Sequence, residues 1–314
     1  MSRALVISNQ YTQFSSARLY GCYNDANDFI TRLRKIDPKM NITIMRDNLK
    51  TTHTLYPTKK NILREINNLC RSKETKLFFY YSGHGTSIRD YNQDEQTILF
   101  QPNGTQIVAI QGLLQDSCLV SNDINYLNIV TDDEISSILR GLKSQKTLYG
   151  FLDCCNSGTG FDLAFINLGV YTSKFTNNTI PKLTDEINTN CSIISSNYPD
   201  KINNIPAKVI LISGTRDKDY SYEGQINNKV GGFFTYVLCN LLDYGVKNMS
   251  LKLFYFYLMA LLNIPNQIPV LTLSKNLNLD QTLMNDLNFV TKSQLATKKQ
   301  IIIKKHQTYR YFMK

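Results

Sequence analysis

The sequence has 314 residues, of which 42% are hydrophobic and 19% charged, with a formal net charge of +10. This is the composition of a globular protein with a buried core, and the length suits one large α/β domain or two small ones. No apolar run reaches the length of a transmembrane helix, and the first residues lack the features of a secretory signal, so we expect no membrane association.

The cysteines and the placement of charged residues further restrict the class of protein. The seven cysteines are an odd number without a CxxC pair, which predicts reduced thiols in a cytoplasmic compartment and argues against a structural zinc site. Seven lysines and arginines, and no acidic residue, lie between Lys292 and Lys314. The body is therefore only weakly basic, and no nucleic-acid binding is expected. The tail is either a contact for an acidic partner or, more commonly, a solvated terminus.

In chain order, the first half alternates buried strands with amphipathic helices. A hairpin is predicted over 97–110 around Pro102-Asn103-Gly104. Thr131 is placed to cap the following helix, with Glu134 at its third position. The strands are predicted at 3–8, 41–46, 76–82 and 146–152, and the helices at 24–36, 57–71 and 132–142.

The second half continues the alternation after a segment, 167–190, whose Asn, Thr and Ser content is typical of a long loop. Strands fit 190–196, 208–213 and 268–273, and helices fit 232–244 and 250–262. The pattern predicts an α/β fold with a mostly parallel central sheet covered on both faces.

Two of the predicted strands end in polar clusters: LFFYYSGHG runs into His84, and LYGFLDCCNSG runs into Cys155. Ligands of open α/β sheets bind at the carboxyl ends of strands, and the flanking glycines allow a substrate backbone to approach. A thiol and an imidazole there suit nucleophilic acyl transfer. Taken singly, each is more often a loop histidine or a core cysteine; together they favour catalysis.

These two motifs are similar to the signatures of the metacaspases, which are caspase-like cysteine peptidases. The resemblance covers about residues 3–273 in the order of the family's type I arrangement, and several ordered motifs are more specific than one. The further motifs are Leu19-Tyr-Gly-Cys-Tyr-Asn-Asp25, Asp94-Glu95, Thr131-Asp-Asp-Glu-Ile135, Gly158-Thr-Gly-Phe-Asp-Leu163, Ile212-Ser-Gly-Thr-Arg-Asp217 and Gly231-Gly-Phe-Phe-Thr235.

The resemblance implies a caspase-like three-layer α/β/α sandwich and assigns the catalytic residues. Cys155, rather than Cys154, is the expected nucleophile, and His84 the acid/base partner. The backbone N–H groups of Gly85 and Cys155 are expected to form the oxyanion hole. Asn156 departs from the family, which usually has His at this position.

Specificity for Arg or Lys at P1, the residue before the scissile bond, is also implied by the family. Its S1 pocket, carried over by motif, consists of Cys22, Asp25, Ser82 and Asp153. Carboxylates in such a pocket pair with a basic side chain, and the substrates would be proteins or peptides with Arg or Lys at P1. Taken alone, Asp25 is as readily a helix-start residue.

Calcium activation is a further trait of many family members. The segments that supply the calcium ligands contain Asp94, Asp132, Asp133 and Asp162, and calcium needs several oxygen ligands at one site. Asp132 and Asp133 equally suit the first turn of a helix.

The expected organisation is a peptidase domain over 1–290 followed by a basic tail over 291–314. Within the domain, 1–166 resembles the large subunit, 167–207 is a linker and 208–290 resembles the small subunit. Autoprocessing is expected near the linker, and a monomer is expected. The candidate cleavage sites are Lys174, Lys182, Lys201 and Lys208.

Three alternatives stay open. The chain could be a non-catalytic caspase-fold protein that binds partners, for which Asn156 is the one hint. It could be a nucleic-acid-binding protein, which would need basic and aromatic residues interleaved on one surface. It could belong to the legumain-like peptidases, which are usually secreted and prefer Asn at P1.

Overall fold

The protein is described from a computed structural model. The described residues are 1–89, 97–100, 106–110, 115–123, 128–163, 165–167, 194–195, 205–217, 219–262, 264–275, 277–288 and 312–314.

Sixteen strands and five α-helices are found in these ranges. The helices are α1 (Cys22–Ile36), α2 (Lys59–Arg71), α3 (Asp132–Leu139), α4 (Phe233–Tyr244) and α5 (Leu251–Leu261), with short 3-10 turns at Ser15–Ala17 and Asn285–Leu287. The strands are β1 (Ser2–Ser8), β2 (Asn41–Arg46), β3 (Lys76–Ser82), β4 (Gly85–Arg89), β5 (Thr97–Phe100), β6 (Gln106–Ile110), β7 (Gln115–Val120), β8 (Ile129–Thr131), β9 (Thr147–Asp153), β10 (Phe165–Asn167), β11 (Ile194–Ser195), β12 (Lys208–Ser213), β13 (Tyr222–Ile226), β14 (Lys229–Gly232), β15 (Val270–Leu273) and β16 (Phe312–Met313).

The central sheet begins with five parallel strands in the order β2-β1-β3-β9-β12. The antiparallel strand β15 follows β12, and the short strands β10, β11, β5 and β6 extend the sheet beyond it. The inner strands are buried along almost their whole length, as parallel strands covered by helices must be.

Alternate side chains of each central strand pack into two separate cores, which makes the fold three-layered. In β1, Ala4 and Val6 face the core formed with α1, α4 and α5. Leu5 and Ile7 face the opposite core, formed with α2 and α3. Successive side chains of a strand point to opposite faces, so one apolar run supplies both layers. The predicted three-layer α/β/α sandwich with a mostly parallel sheet is confirmed.

Two small sheets lie outside the central one. Strands β4, β7 and β8 form the first, and β14, β13 and β16 form the second. Neither was predicted, because their strands lack the continuous apolar runs by which the central strands were recognised. The first follows directly after His84, and the second contains the last described residues of the chain.

Most other elements expected from the sequence match closely in position; of the strand expected over 190–196, only 194–195 lie within the described residues. The hairpin expected over 97–110 is present as the antiparallel pair β5 and β6. The expected capping box is present, since the Thr131 side chain accepts from the Glu134 N–H and Glu134 accepts in return. The helix predicted over 132–142 ends earlier, at Leu139. Most of the predicted loop 167–190 lies outside the described residues.

Candidate active site

The two motifs expected to carry chemistry lie side by side at one edge of the sheet. Strands β3 and β9 are parallel neighbours whose final paired residues are Ser82 and Asp153. His84 and Cys155 each follow two positions after that pair. Because both strands end in register, the turns after them meet at the carboxyl edge, where α/β folds bind ligands.

The Cys155 thiol is held among backbone groups and is only 4% exposed. Its Sγ accepts from the Ser221 N–H at 3.3 Å and lies 3.8 Å from the Ser221 carbonyl. Burial raises the pKa of this thiol to about 11, although hydrogen bonds with the backbone of Ser221 and Lys314 act in the opposite direction. The thiol is therefore protonated at neutral pH in this arrangement, and a base is needed to form the thiolate.

Cys154 has a different environment from its neighbour. Its side chain is fully buried in the core between the sheet and helices α2 and α3. Burial, followed by the proximity of Cys155, raises its pKa well above the usual range. A thiol packed among aliphatic and aromatic side chains behaves as a small apolar group, so the geometry favours Cys155 as the reactive thiol.

The His84 imidazole is oriented by contacts on several sides. Its Nε2 lies 2.7 Å from the carbonyl oxygen of Ala17, and its ring lies 4.7 Å from the ring of Tyr11. Because a carbonyl only accepts, Nε2 carries a proton in this contact. Burial lowers the pKa of the imidazole, and the ring also hydrogen-bonds the backbone of Lys314.

Gly85 packs directly against the backbone of Cys155. A Cβ atom at position 85 would lie 1.9 Å from the Cys155 carbonyl oxygen, closer than any side chain can come. Only glycine therefore fits between the histidine and cysteine turns. On the opposite side, the Cys155 N–H donates to the carbonyl oxygen of Lys314 at 3.3 Å.

Two buried carboxylates, those of Asp25 and Asp153, lie near each other at this edge of the sheet. Asp25, in the first turn of α1, accepts from the Gly232 N–H at 2.7 Å and from Ser82 Oγ at 3.0 Å. Asp153 accepts from Ser221 Oγ at 2.7 Å and from Thr235 Oγ1 at 2.6 Å. The structure thus brings together the residues that the sequence assigned to the S1 pocket.

The pocket between the two carboxylates is filled by the side chain of Lys314. Its Nζ lies 2.6 Å from Asp25 Oδ2, 3.0 Å from Ser82 Oγ and 3.4 Å from Asp153 Oδ2. The side chain has no solvent exposure. Burial by itself would lower the pKa of Lys314, but Asp153 and Asp25 raise it well above the ordinary value. Lys314 is therefore buried rather than solvated, which corrects the expectation for this residue; the part of the tail before residue 312 lies outside the described residues.

The carboxyl group of Asp25 is itself strongly influenced by this environment. Burial raises its pKa to about 6, and Asp153 adds to this increase, while Lys314 opposes it. Cys22, also assigned to the pocket, is completely buried at the start of α1, and burial raises the pKa of its thiol. It adjoins the pocket through Ser82.

Sequence reasoning missed several residues of the pocket. Gly232 leaves no room for a side chain, since a Cβ there would lie 2.1 Å from Asp153 Oδ2. Gly232 and Thr235 belong to a motif recognised in the sequence, but no role was assigned to them. Ser221, Gln267 and Lys314 gave no sequence signal, because their roles depend on contacts between distant segments.

The structure describes three of the four predicted calcium ligands. Asp132 Oδ2 accepts from the Ser117 N–H at 2.9 Å, and its Oδ1 accepts from the Asp133 N–H at 3.0 Å. Asp162 has a left-handed backbone, with φ of 46°. Asp94 lies outside the described residues. Within the described part of the chain, no three His, Cys, Asp or Glu side chains cluster closely enough to hold a metal ion.

Comparison with known proteins gives a family model and several related sequences. Residues 2–164 match the family model described as "Metacaspase, peptidase C14 domain". Metacaspase-5 of Trypanosoma cruzi is 28% identical over 172 residues, which cover 53% of this chain and 35% of that protein. Metacaspase-1 of Eremothecium gossypii is 32% identical over 169 residues, covering 52% and 33%.

A solved structure shares the fold over most of the chain. A crystallised protein of Geobacter sulfurreducens superposes with a TM-score of 0.55 at 16% identity, covering 92% of this chain and 99% of that one. The family model, rather than the shared fold, defines the class: residues 2–164 match a peptidase C14 domain. With the family model matching just over half of its length, the chain belongs to the metacaspase family. The matched region spans only 33–35% of these two relatives.

Among the helices of the described ranges, none has both the length and the apolar character that crossing a bilayer requires.

Proposed function

We propose that the chain is a cysteine endopeptidase that cleaves peptide bonds after Lys or Arg. One observation carries this proposal: a lysine side chain reaches two buried carboxylates while its own carbonyl oxygen accepts from the Cys155 N–H. A substrate lysine in the same position would present its carbonyl carbon beside the Cys155 thiol.

The reaction follows from the groups around that carbonyl. His84 takes the thiol proton of Cys155 as the sulfur attacks the carbonyl carbon, because the thiol is protonated at neutral pH. The Cys155 N–H donates to the developing oxyanion, with Gly85 as the proposed second donor. His84 then protonates the leaving amine, which breaks the C–N bond. Water hydrolyses the resulting thioester and restores the free thiol.

The charge of the pocket sets the specificity. Asp25 and Asp153 are 3% and 0% exposed, so water does little to stabilise their negative charges. A basic side chain neutralises them, as Lys314 does, and the guanidinium of Arg can bind carboxylates in two places. An acidic P1 side chain would add a third carboxylate to the same buried site, which is strongly unfavourable.

Calcium activation is a separate proposal that rests on the family resemblance. Asp132, Asp133, Asp162 and Asp94 are its proposed ligands, and Asp132 would have to exchange its bonds to backbone N–H groups for the ion. Isothermal titration with CaCl2, compared between the unmodified chain and Asp132→Asn, tests it. Equal heats in both would remove Asp132 from the proposal, and no heat in either would remove calcium binding.

Autoprocessing in the segment 167–207 is also proposed, together with the division into two subunit-like parts. Lys174, Lys182 and Lys201 lie outside the described residues. Lys208 opens the central strand β12 rather than lying in a loop, which makes it a poor cleavage site. Mass spectrometry of the chain after incubation, with Cys155→Ala as control, checks the proposal. An intact chain with full peptidase activity would contradict it.

We also propose a cellular compartment, a class of substrates and an oligomeric state for the protein. The described cysteines are all free thiols, which supports a reducing compartment such as the cytoplasm. Proteins and peptides with basic P1 residues are the proposed substrates, with no nucleic-acid partner. A monomer is proposed, and light scattering of the purified chain tests it.

The function itself is tested with four peptides that differ only at P1, which is Arg, Lys, Gln or Asp. Their hydrolysis is measured with the unmodified chain, with Lys314→Ala and with Cys155→Ala. We expect cleavage of the Arg and Lys peptides that Cys155→Ala abolishes. Absence of cleavage by both the unmodified chain and Lys314→Ala would favour the non-catalytic alternative instead.

A further inference from the structure

The last three residues of the chain are arranged like a bound peptide. Strand β16 pairs antiparallel with β13, with Met313 opposite Tyr222 and Phe312 opposite Glu223. The Lys314 N–H continues this pairing by donating to the Ser221 carbonyl at 2.9 Å. Adding an extended segment to a strand edge is a common way for proteins to bind peptides.

The end of that segment places the N–H, the backbone oxygen and the ammonium group of Lys314 in defined contacts. Its ammonium group pairs with Asp25 and Ser82, and its carbonyl oxygen accepts from the Cys155 N–H. The imidazole of His84 hydrogen-bonds its backbone as well. These are the contacts that the proposed reaction needs from a P1 residue.

We propose that residues 312–314 bind in the substrate cleft of their own chain as P3 to P1 and keep it closed to other peptides. The proposal rests on the proposed function, because it takes the pocket of Asp25 and Asp153 as the S1 site. It adds to that function an occupant, the segment ending at Lys314, and a regulatory consequence, inhibition in cis.

Inhibition follows from geometry and tethering. A side chain with no solvent exposure leaves no space for a second basic residue between the two carboxylates. Because the segment belongs to the same chain as the cleft, its binding is intramolecular and does not depend on the protein concentration. An external peptide therefore has to displace the segment, and its apparent affinity is its intrinsic affinity multiplied by the fraction of chains in which the cleft is open.

The structure also suggests why the segment does not leave readily. Releasing Lys314 would leave two carboxylates buried next to each other without a cation, which is costly. An incoming Lys or Arg side chain supplies the replacement charge, whereas a neutral or acidic one does not. Displacement should therefore depend strongly on the P1 residue of the external peptide.

The first test compares kcat/KM on an Arg-P1 peptide among the unmodified chain, Lys314→Ala and Lys314→Gln. We expect an increase of about tenfold or more in both variants. Lys314→Arg is the matched control, because Arg keeps the charge in the pocket and should keep the activity low. Equal kcat/KM in all four proteins would overturn the inference while leaving the peptidase function intact.

The second test uses binding and does not depend on cleavage. A fluorescein-labelled peptide with the sequence of residues 311–314 is titrated by anisotropy into Cys155→Ala and into the double variant Cys155→Ala with Lys314→Ala. We expect about tenfold tighter binding to the double variant, and no binding of the same peptide with Ala in place of its final Lys. Equal affinities of the labelled peptide for both variants would overturn the inference. This outcome does not depend on whether the unmodified chain is a peptidase.

Discussion

Asn156 donates from its Nδ2 to the backbone carbonyl of Asp217, so the residue after the proposed nucleophile is tied to the loop that follows β12. Its backbone lies in the left-handed region, with φ of 50°, a conformation that Asn adopts more readily than most residues. Its own N–H donates to the Asp219 carbonyl at 3.3 Å. In place of the usual histidine, this chain therefore has a residue that fixes the turn carrying Cys155.

Asn156→Asp is expected to loosen that turn, because the carboxylate has nearly the same shape but cannot donate to a carbonyl. Loss of this hydrogen bond should cost about 1–2 kcal/mol, lowering Tm by a few degrees. Peptidase activity should fall as Cys155 becomes less well placed. Asn156→Gly, which tolerates the positive φ, separates the hydrogen bond from the backbone conformation. An unchanged Tm and activity in Asn156→Asp would contradict this role.

In the Lys314→Ala background, in which the tail segment no longer competes for the pocket, Asp25→Asn is expected to reduce cleavage after Lys and Arg by about 100-fold in kcat/KM. Breaking a buried ion pair costs about 3 kcal/mol or more, and each 1.4 kcal/mol corresponds to about a factor of ten. Asp28→Asn, one turn later in α1, is the matched control. Asp28 forms only surface ion pairs, with Arg32 and Lys229, and its substitution should leave kcat/KM unchanged. Similar losses in both variants would contradict the proposed pocket.

Binding of basic P1 residues is expected to weaken as the pH falls through about 6. Burial raises the pKa of Asp25 to about 6, so its carboxyl group takes up a proton below that pH and no longer pairs with a cation. Lys314 holds this pKa down, so the midpoint should move upward in Lys314→Ala. Peptide anisotropy between pH 5 and 8 measures the effect in Cys155→Ala with Lys314→Ala, in which neither cleavage nor the tail segment interferes, and the midpoint is compared with that of Cys155→Ala alone.

Asp25→Asn is the control for that titration, since the imidazole of His84 also titrates when the pH is lowered. The pH dependence that remains in Asp25→Asn belongs to other groups. If the curves with and without Asp25→Asn have the same midpoint and amplitude, Asp25 is not the titrating group.

Gly85→Ala is expected to separate the histidine and cysteine turns. Its Cβ would lie 1.9 Å from the Cys155 carbonyl oxygen, so the backbone must move, at a cost of about 2 kcal/mol or more. Activity and Tm should both fall. Gly141→Ala is the matched control, because the nearest atom to its Cβ would be the Ile138 carbonyl oxygen at 3.3 Å and the position is exposed. Full activity in Gly85→Ala would contradict the close packing of the two turns.

Much of the central sheet could be predicted from the sequence because its strands are long apolar runs between clear helices. Strand β3 was predicted with the same bounds as observed, and β9 within one residue at each end. Asp25, Ser82 and Asp153 were assigned to one pocket by motif, and the structure brings them together at the ends of α1, β3 and β9.

What the sequence did not predict depends on contacts between distant segments. Strand β13 is short and mixed in character, and its role as a partner for β16 is visible only in the assembled fold. From the sequence, Lys314 looked like a solvated lysine of a basic tail. No local pattern indicates its contact with Asp25, which is 289 positions earlier in the chain. Ser221 connects Asp153 to Cys155 through its side chain and backbone, which no spacing rule indicates.

Covalent labelling shows whether Cys155 is the nucleophile of a site selective for basic P1 residues. Lys314→Ala is treated with a peptidyl acyloxymethyl ketone bearing Lys at P1, and the modified residue is identified by mass spectrometry. The account predicts labelling of Cys155, loss of labelling when P1 is Asp, and strong reduction of labelling when Asp25→Asn is added. Labelling of Cys154 instead, or labelling of Cys155 that ignores the P1 residue, would contradict it.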